Sequence, residues 1–419
     1  MINYTKDQLN SMLKDVQNKY DEYVKQGLAL DMSRGKPSPD QLNLSDDMHE
    51  IQYDAKLSKA DYRNYGILDG IPEIKKMFSK ILGVEEDELI AWGNSSLTMM
   101  YDAVQRAYTF GVYGGKTPWG KQEKLKFLCP VPGYDRHFAI TELFGFELIN
   151  VPMTSTGPDM DVVEKLVSED ETIKGIWCVP KYSNPDGITY SDETVLRFAN
   201  LSPKADDFRI FWDNAYFAHE VYGTEDKLLN LLNEAKKNGK EDMVYMFTST
   251  SKITHAGAGV AFLAMSKANM AFNKKLLGIQ AIGPDKLNQW KHVVYLKDEN
   301  GLKEHMKKHQ ALLRPRFDVV TDKLDELKAE GFIEYQKPRG GYFVSVFTQN
   351  GLASEVVKLC KEAGVVFTPA GSTYPYKKDP NDSNIRLAPS YPPVEELKVA
   401  IDVFATAVKL ATIKKLITE

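Results

Sequence analysis

Between residues 87 and 266 short apolar runs alternate with amphipathic stretches, and this alternation leaves the chain few architectures. The runs at 126–130, 146–152, 173–180, 208–213, 243–248 and 259–265 are apolar along their length rather than at every second position. A strand with one wet face alternates apolar and polar side chains, whereas an unbroken apolar run belongs to a strand covered on both faces. Helical periodicities at 134–144, 159–168, 191–200 and 226–237 lie between most of these runs. The expectation is an α/β core, a mostly parallel central sheet flanked by helices.

The flanks differ. Leu9, Met12, Leu13, Val16, Tyr20, Tyr23 and Val24 recur at steps of three and four, predicting an amphipathic helix over 5–27. The Gly- and Pro-containing loop Ser33-Arg34-Gly35-Lys36-Pro37-Ser38-Pro39-Asp40 then breaks regular structure. Beyond the core come a charged helix over 301–330, strands at 332–336 and 342–347 joined across Pro338-Arg339-Gly340-Gly341, a helix at 353–363, strands at 365–368 and 385–388, and a closing helix at 394–416. This mixture predicts a smaller α+β domain. A chain of 419 residues exceeds what one core holds. We expect residues 46–297 to form a large domain and 298–419 a small one, with the helix and loop of 1–45 packing on the latter.

Several function classes are excluded by composition. Lys and Arg number 53 against 58 Asp and Glu, a net charge of −5 without the basic excess of a nucleic-acid binder. No apolar run approaches the roughly 18 residues of a membrane-spanning helix. The segment Met1-Ile2-Asn3-Tyr4-Thr5-Lys6-Asp7 has no apolar export signal, so a cytoplasmic protein is expected. Cys129, Cys178 and Cys360 are too scattered for a disulfide framework or a CxxC metal site, and fall in apolar patterns that read as core; no metal is expected.

Ligands of parallel α/β sheets bind at the carboxyl ends of the strands, so polar residues just after strands are informative. Four places stand out. Gly93-Asn94-Ser95-Ser96 precedes a helical pattern and offers free N–H groups and hydroxyls to a phosphate, or else a simple helix cap. Tyr182-Ser183-Asn184-Pro185-Asp186-Gly187 comes after one strand, and taken alone is a turn. Trp212-Asp213-Asn214-Ala215-Tyr216 comes after another and sets an Asp where a buried charge needs a cation or donors. Ser249-Thr250-Ser251-Lys252 sets a lysine among small hydroxyl residues at a strand end, where lost solvation makes its amine a nucleophile toward an aldehyde.

Together these features match the needs of pyridoxal phosphate. That cofactor requires a Schiff-base lysine (Lys252), an anion at the pyridine nitrogen (Asp213), donors to the ring oxygen (Asn184, Tyr216) and a phosphate cradle (Asn94, Ser95, Ser96, Ser249, Ser251). Tyr134, in Pro132-Gly133-Tyr134-Asp135, can stack on the ring.

The succession Gly-Asn-Ser-Ser, Pro-Gly-Tyr, Asn-Pro-Asp-Gly, Asp-Asn-Ala-Tyr and Ser-Thr-Ser-Lys resembles the fold-type I, class I aminotransferases, most closely the bacterial aspartate aminotransferase subgroup Ic. The resemblance runs from Arg34-Gly35-Lys36-Pro37 to Ile385-Arg386-Leu387. It implies Lys252 as proton shuttle, Arg386 as the fork holding the substrate α-carboxylate, and Gly35 beside the substrate. It also implies that Tyr65 reaches the phosphate of a neighbouring subunit, hence a homodimer with active sites at the interface. The implied substrates are aspartate or glutamate with 2-oxoglutarate or oxaloacetate, exchanged by a ping-pong mechanism. A distal carboxylate then needs a second cation, for which Arg34, Lys36 and Lys286 are candidates. One position departs from the family: eight residues after the lysine, where an arginine usually binds the phosphate, stands Val260.

Other readings stay open at this level. An aminotransferase for aromatic or other amino acids, or a lyase of the cysteine-S-conjugate type, would share Lys252, Asp213 and Arg386; a non-catalytic sensor would keep the lysine and lose turnover. Gly114-Gly115-Lys116-Thr117 resembles the end of a P-loop, but its spacing from Gly111 is one residue short and no strand leads into it. His305 and His309, four apart on a predicted helix without an acidic partner, read as a solvated face. His255 reads as a local polar contact as readily as a catalytic group.

Overall fold

A computed structural model describes residues 4–418; of the N-terminal segment, Met1, Ile2 and Asn3 lie outside the described residues, as does Glu419. Its main sheet has eight strands, β1 (Leu89–Ala91), β2 (Lys126–Val131), β3 (Glu147–Thr154), β4 (Gly157–Pro158), β5 (Ile173–Cys178), β6 (Arg209–Asp213), β7 (Val244–Ser249) and β8 (Ala261–Met265), in the spatial order β1-β8-β7-β6-β5-β2-β3-β4. The five central strands from β7 to β3 run parallel; β8 pairs antiparallel with β7, β1 antiparallel with β8, and β4 antiparallel with β3. Every residue of β5, β6 and β7 is buried, which is why their sequences are mainly apolar with no polar residue at every second position.

Alternate residues feed two cores. Phe127, Trp177, Phe211 and Phe247 pack on one face, and Leu128, Ile176, Trp212 and Met246 on the other. A third core gathers a three-stranded antiparallel sheet (Glu334–Tyr335, Val344–Phe347, Asn384–Leu387) with the helices Glu299–Ala329, Ala353–Glu362 and Val394–Thr418. The N-terminal helix Lys6–Gln26 starts on a reciprocal cap between Thr5 and Gln8 and stops at Gly27, whose φ of 62° is readily available to glycine. It joins the third core: Tyr20 donates to the Leu359 carbonyl at 3.0 Å and Tyr23 to Asp402 at 3.4 Å.

The observed elements depart from expectation in specific ways. The helix expected at 226–237 covers only Leu231–Lys236. Helices at Pro72–Leu82, Lys267–Gln280 and Lys286–Leu296 were not anticipated. His305 and His309 do not lie on a solvated face; they are 5% and 1% exposed. The N-terminal segment covers that side of the long helix, with Gln41 Nε2 lying 3.2 Å from His309 Nδ1, and both imidazole Nε2 atoms reach the Ile253 carbonyl, at 2.6 and 2.9 Å. Among the described residues no helix is long and apolar enough to cross a membrane.

Candidate active site

The carboxyl ends of β6 and β7 bring the expected polar residues together. Asp213 ends β6 at 3% exposure. Its Oδ2 lies 3.0 Å from His137 Nε2, and its buried Oδ1 has no partner. His137 is itself fixed by stacking on Trp177, centroids 4.6 Å apart and planes 14° from parallel. It stands on the helix Asp135–Leu143, one turn beyond Tyr134, so the two rings share a face and meet edge-on at 4.8 Å. A buried carboxylate is costly unless paired; one oxygen here is met and the other remains for a cation or donor.

Lys252 comes after β7 in a short turn, its Nζ 4.9 Å from the centre of the Tyr216 ring. Burial lowers its pKa, against the opposing pull of Asp213, so the neutral amine becomes accessible. The lysine's carbonyl lies 3.1 Å from His219 Nε2, and the next carbonyl, that of Ile253, meets the His305–His309 pair, so its backbone is held from several elements at once. Burial pushes the Tyr216 phenol well above its ordinary range, and burial with Asp213 and Asp135 nearby pushes Tyr134 up to about 12. Both phenols therefore keep their protons at neutral pH.

At the other end, Ser95 caps the helix Ser96–Phe110, its hydroxyl accepting from the Leu97 N–H at 3.2 Å. Ser249 donates to Ser251 at 3.0 Å, and Ser251 to the Asn94 carbonyl at 3.0 Å. The Asn94 side chain turns away, donating to the Gly257 carbonyl at 3.4 Å. Val260 is 1% exposed in the apolar core, and its N–H donates to Thr250 at 2.9 Å.

Arg386, 8% exposed, sends Nη1 to Asn184 Oδ1 at 3.3 Å and to Asp135 at 3.2 Å, while its buried Nε has no partner. Its guanidinium lies over the Phe343 ring at 4.8 Å. A side chain at Gly35 would overlap that ring, so glycine alone lets the loop approach so closely. Arg34 instead pairs with Asp31 at 2.9 Å and is 61% exposed, and Lys36 lies over Tyr391 at 4.3 Å. Lys286 is 5% exposed and pairs with no carboxylate among the described residues. It lies beside the contact of Gly283 with the Gly66 backbone, next to Tyr65, whose ring is 81% exposed.

Gly35, Ser95, Ser96, Tyr134, Asn184, Asp213, Tyr216, Ser249, Ser251 and Lys252 thus line one cavity of about 150 Å³. Asn94, Arg34, Lys36, Lys286 and Tyr65 do not line it, and Arg386 meets it through Asn184 and Phe343. Lys252 is the sole cation among its described lining residues. The unpartnered Asp213 oxygen, the lysine, the Tyr134 ring on the cavity wall and the capped helix N-terminus fit the anchoring points of pyridoxal phosphate. Sequence reasoning missed His137, His219 and Phe343; only the three-residue step from Tyr134 hinted at the first. The remaining motifs stay apart from the cavity. Lys116 is an exposed loop residue, the three cysteines are buried, and His255 makes a local contact with Asp46 at 3.6 Å.

The model of a family described as aspartate amino-transferase matches residues 4–419. The aspartate aminotransferase of Corynebacterium glutamicum is 44% identical over 402 residues, 95% of this chain and 93% of its own length. The crystal structure of an aspartate transaminase from the same species superposes with a TM-score of 0.96 at 43% identity, covering 98% of both chains. An α-aminoadipate aminotransferase of Thermus thermophilus, complexed with N-(5'-phosphopyridoxyl)-L-leucine, shares the fold at 19% identity, with a TM-score of 0.75 over 95% of each chain.

Proposed function

The chain belongs to the aspartate aminotransferase family and is a pyridoxal phosphate-dependent transaminase; from that premise we propose that it exchanges the amino group of aspartate or glutamate with 2-oxoglutarate or oxaloacetate. The single observation that carries the reading is the one cavity into which Lys252, Asp213, Tyr216, Asn184 and Tyr134 converge.

In this reading Lys252 is the covalent anchor, and Asp213, held by His137, pairs with the protonated pyridine nitrogen. Tyr216 and Asn184 donate to the ring oxygen, and Tyr134 stacks on the ring. The phosphate is held by Ser95, Ser96, Ser249 and Ser251 and by the N-terminus of the helix Ser96–Phe110, with Asn94 bracing Ser251 through its carbonyl. These hydroxyls and the helix end take the place of the arginine that Val260 replaces. When bound, the cofactor supplies an electron sink for the charge left at the substrate α-carbon.

The rest is the work of the chain's own groups. Arg386 grips the α-carboxylate through its fork and fixes which α-bond faces the ring. With its amine free of the cofactor, Lys252 would take the α-proton and hold it for return, a role its lowered pKa suits. Gly35 leaves room for the substrate. The distal carboxylate is read by Arg34, Lys36 or Lys286, side chains that would have to come in from outside the cavity wall.

The enzyme works in the cytoplasm as a homodimer. Tyr65, Ile279 and Ile282, 81%, 87% and 61% exposed, are the apolar surface that a second subunit would cover, with Tyr65 reaching the neighbour's phosphate. Residues 46–297 act as the cofactor domain and 298–419, with 1–45, as the small domain.

The test is an absorbance spectrum of the holoenzyme before and after aspartate, then after 2-oxoglutarate. The lysine-bound cofactor band disappears with the first and returns with the second. A band that aspartate leaves unmoved would refute the substrate reading.

A further inference from the structure

The turn that follows Lys252 meets a short surface helix through side chains that the transaminase reading leaves unused. Asp46 opens the 3₁₀ helix Asp46–Glu50, and His49 stands three residues later. With three residues per turn, positions i and i+3 of such a helix eclipse, so the carboxylate and the imidazole share a face. His255 comes three residues after Lys252, and its Nε2 lies 3.6 Å from Asp46 Oδ1. Its ring packs on that of His49, centroids 5.0 Å apart and planes 21° from parallel. One ligand atom from each of the three residues lies within 4.8 Å of the other two.

Two imidazoles and a carboxylate suit a borderline divalent ion such as zinc, whereas a purely acidic cluster suits magnesium or calcium. Zinc held by three such ligands keeps a water in the fourth position. Ligand atoms of a zinc tetrahedron stand about 3.3 Å apart, so the edge between Asp46 and His255 is nearly right already. Rotation of side chains shortens the others: Asp46 and His49 are exposed and free to turn, while His255, 19% exposed, is the fixed member. Asp47 and Glu50 on the same helix add negative charge beside the group. The expectation of no metal came from the cysteines and from His305 and His309. These three ligands belong to two segments more than 200 positions apart, so no spacing along the chain announced them.

We infer that Asp46, His49 and His255 form a binding site for one divalent metal ion of the zinc type, which ties the helix Asp46–Glu50 to the turn carrying Lys252. The site is separate from the catalytic cavity, which none of the three residues lines. Because the ligands meet only in the folded chain, the ion binds that state and stabilises it. The inference does not depend on the transaminase reading.

The test is equilibrium dialysis of Zn²⁺ against untagged holoenzyme, stripped of metal by a chelator and free of amino acids. One ion binds per chain, saturably and at micromolar concentration. His49→Ala and His255→Gln each weaken binding at least about tenfold, and the cofactor band reports that each variant folds. Co²⁺ in place of Zn²⁺ gives a visible d–d band at longer wavelength than the cofactor band, and His49→Ala abolishes it. At a hundredfold excess over Kd, Zn²⁺ raises Tm by about 3 °C, and it leaves the Tm of His49→Ala unmoved. No saturable binding below millimolar Zn²⁺, or binding that survives both substitutions, would overturn the proposal. If His255→Gln fails to fold, the exposed His49→Ala decides alone. Failure of the transaminase reading shows separately, as a cofactor band indifferent to aspartate.

Discussion

At the floor of the catalytic cavity Asp213 is clamped by His137, which stacks on Trp177, all three nearly inaccessible; at the rim Tyr65 is 81% exposed. The floor is finished by one chain's own packing, because its groups project from adjacent strands and the helix beneath them. Tyr65 stands on a loop and its side chain has no such neighbours. The difference teaches where precision comes from: close packing sets a side chain to within its rotamer, whereas an exposed one takes its place from whatever surface covers it.

Substitutions can break or sharpen this contrast. Lys252→Ala, the largest, is expected to lower kcat roughly 10⁴-fold, measured as steady-state production of oxaloacetate from aspartate and 2-oxoglutarate. His137→Ala leaves neither Asp213 oxygen with a protein partner; at about 1–3 kcal/mol for the lost bond, cofactor titration of the apoenzyme should show binding weakened tenfold or more. Unchanged affinity would show that the floor is not clamped. Arg386→Lys exchanges a fork for a point charge and should raise KM for amino and oxo acids alike by about tenfold, with a smaller change in kcat. Tyr65→Phe, at the rim, should weaken cofactor binding only about two- to fivefold, and more on dilution if the ring acts across a dimer.

The smallest effect on activity is expected from Asp186→Asn, a buried carboxyl outside the cavity lining that reports through pH. Burial raises the Asp186 carboxyl from 3.8 to about 7, partly offset by a hydrogen bond from Ser345. The folded protein therefore keeps a proton that the unfolded chain releases, and stability is lost as pH rises between those values. The Tm advantage of Asp186→Asn should widen from about pH 4 to about pH 7 and then level off; a constant difference would mean that Asp186 does not titrate there.

Much of the floor was legible in the sequence because its residues sit within a few positions of a strand end. Asn184, Asp213, Tyr216 and Lys252 could be found by locating the buried strands and inspecting the polar residues just beyond each one. His137 could not, since a histidine inside a helical pattern carries no mark of what it faces. His305 and His309 were misread for a related reason. Their spacing says they share a helix face, but that face is covered by a segment more than 250 residues earlier, with Gln41 against His309. Arg34 and Lys36 show how little neighbourhood in sequence says about direction: both adjoin Gly35, yet one pairs with Asp31 and the other lies over Tyr391.

The sequence alone determined which strands are buried on both faces and which reactive residue types stand at their ends, because period and composition are local and each strand carries its own burial pattern. It thereby determined the class of chemistry. Tertiary structure decided which distant groups meet. Arg386 reaches Asn184 across 202 positions, and β6 presents Asp213 to the cavity and Trp212 to the apolar core on its other face. Those outcomes depend on the packing of segments whose separation along the chain leaves no periodic trace, and on burial, which belongs to the assembled fold rather than to any residue.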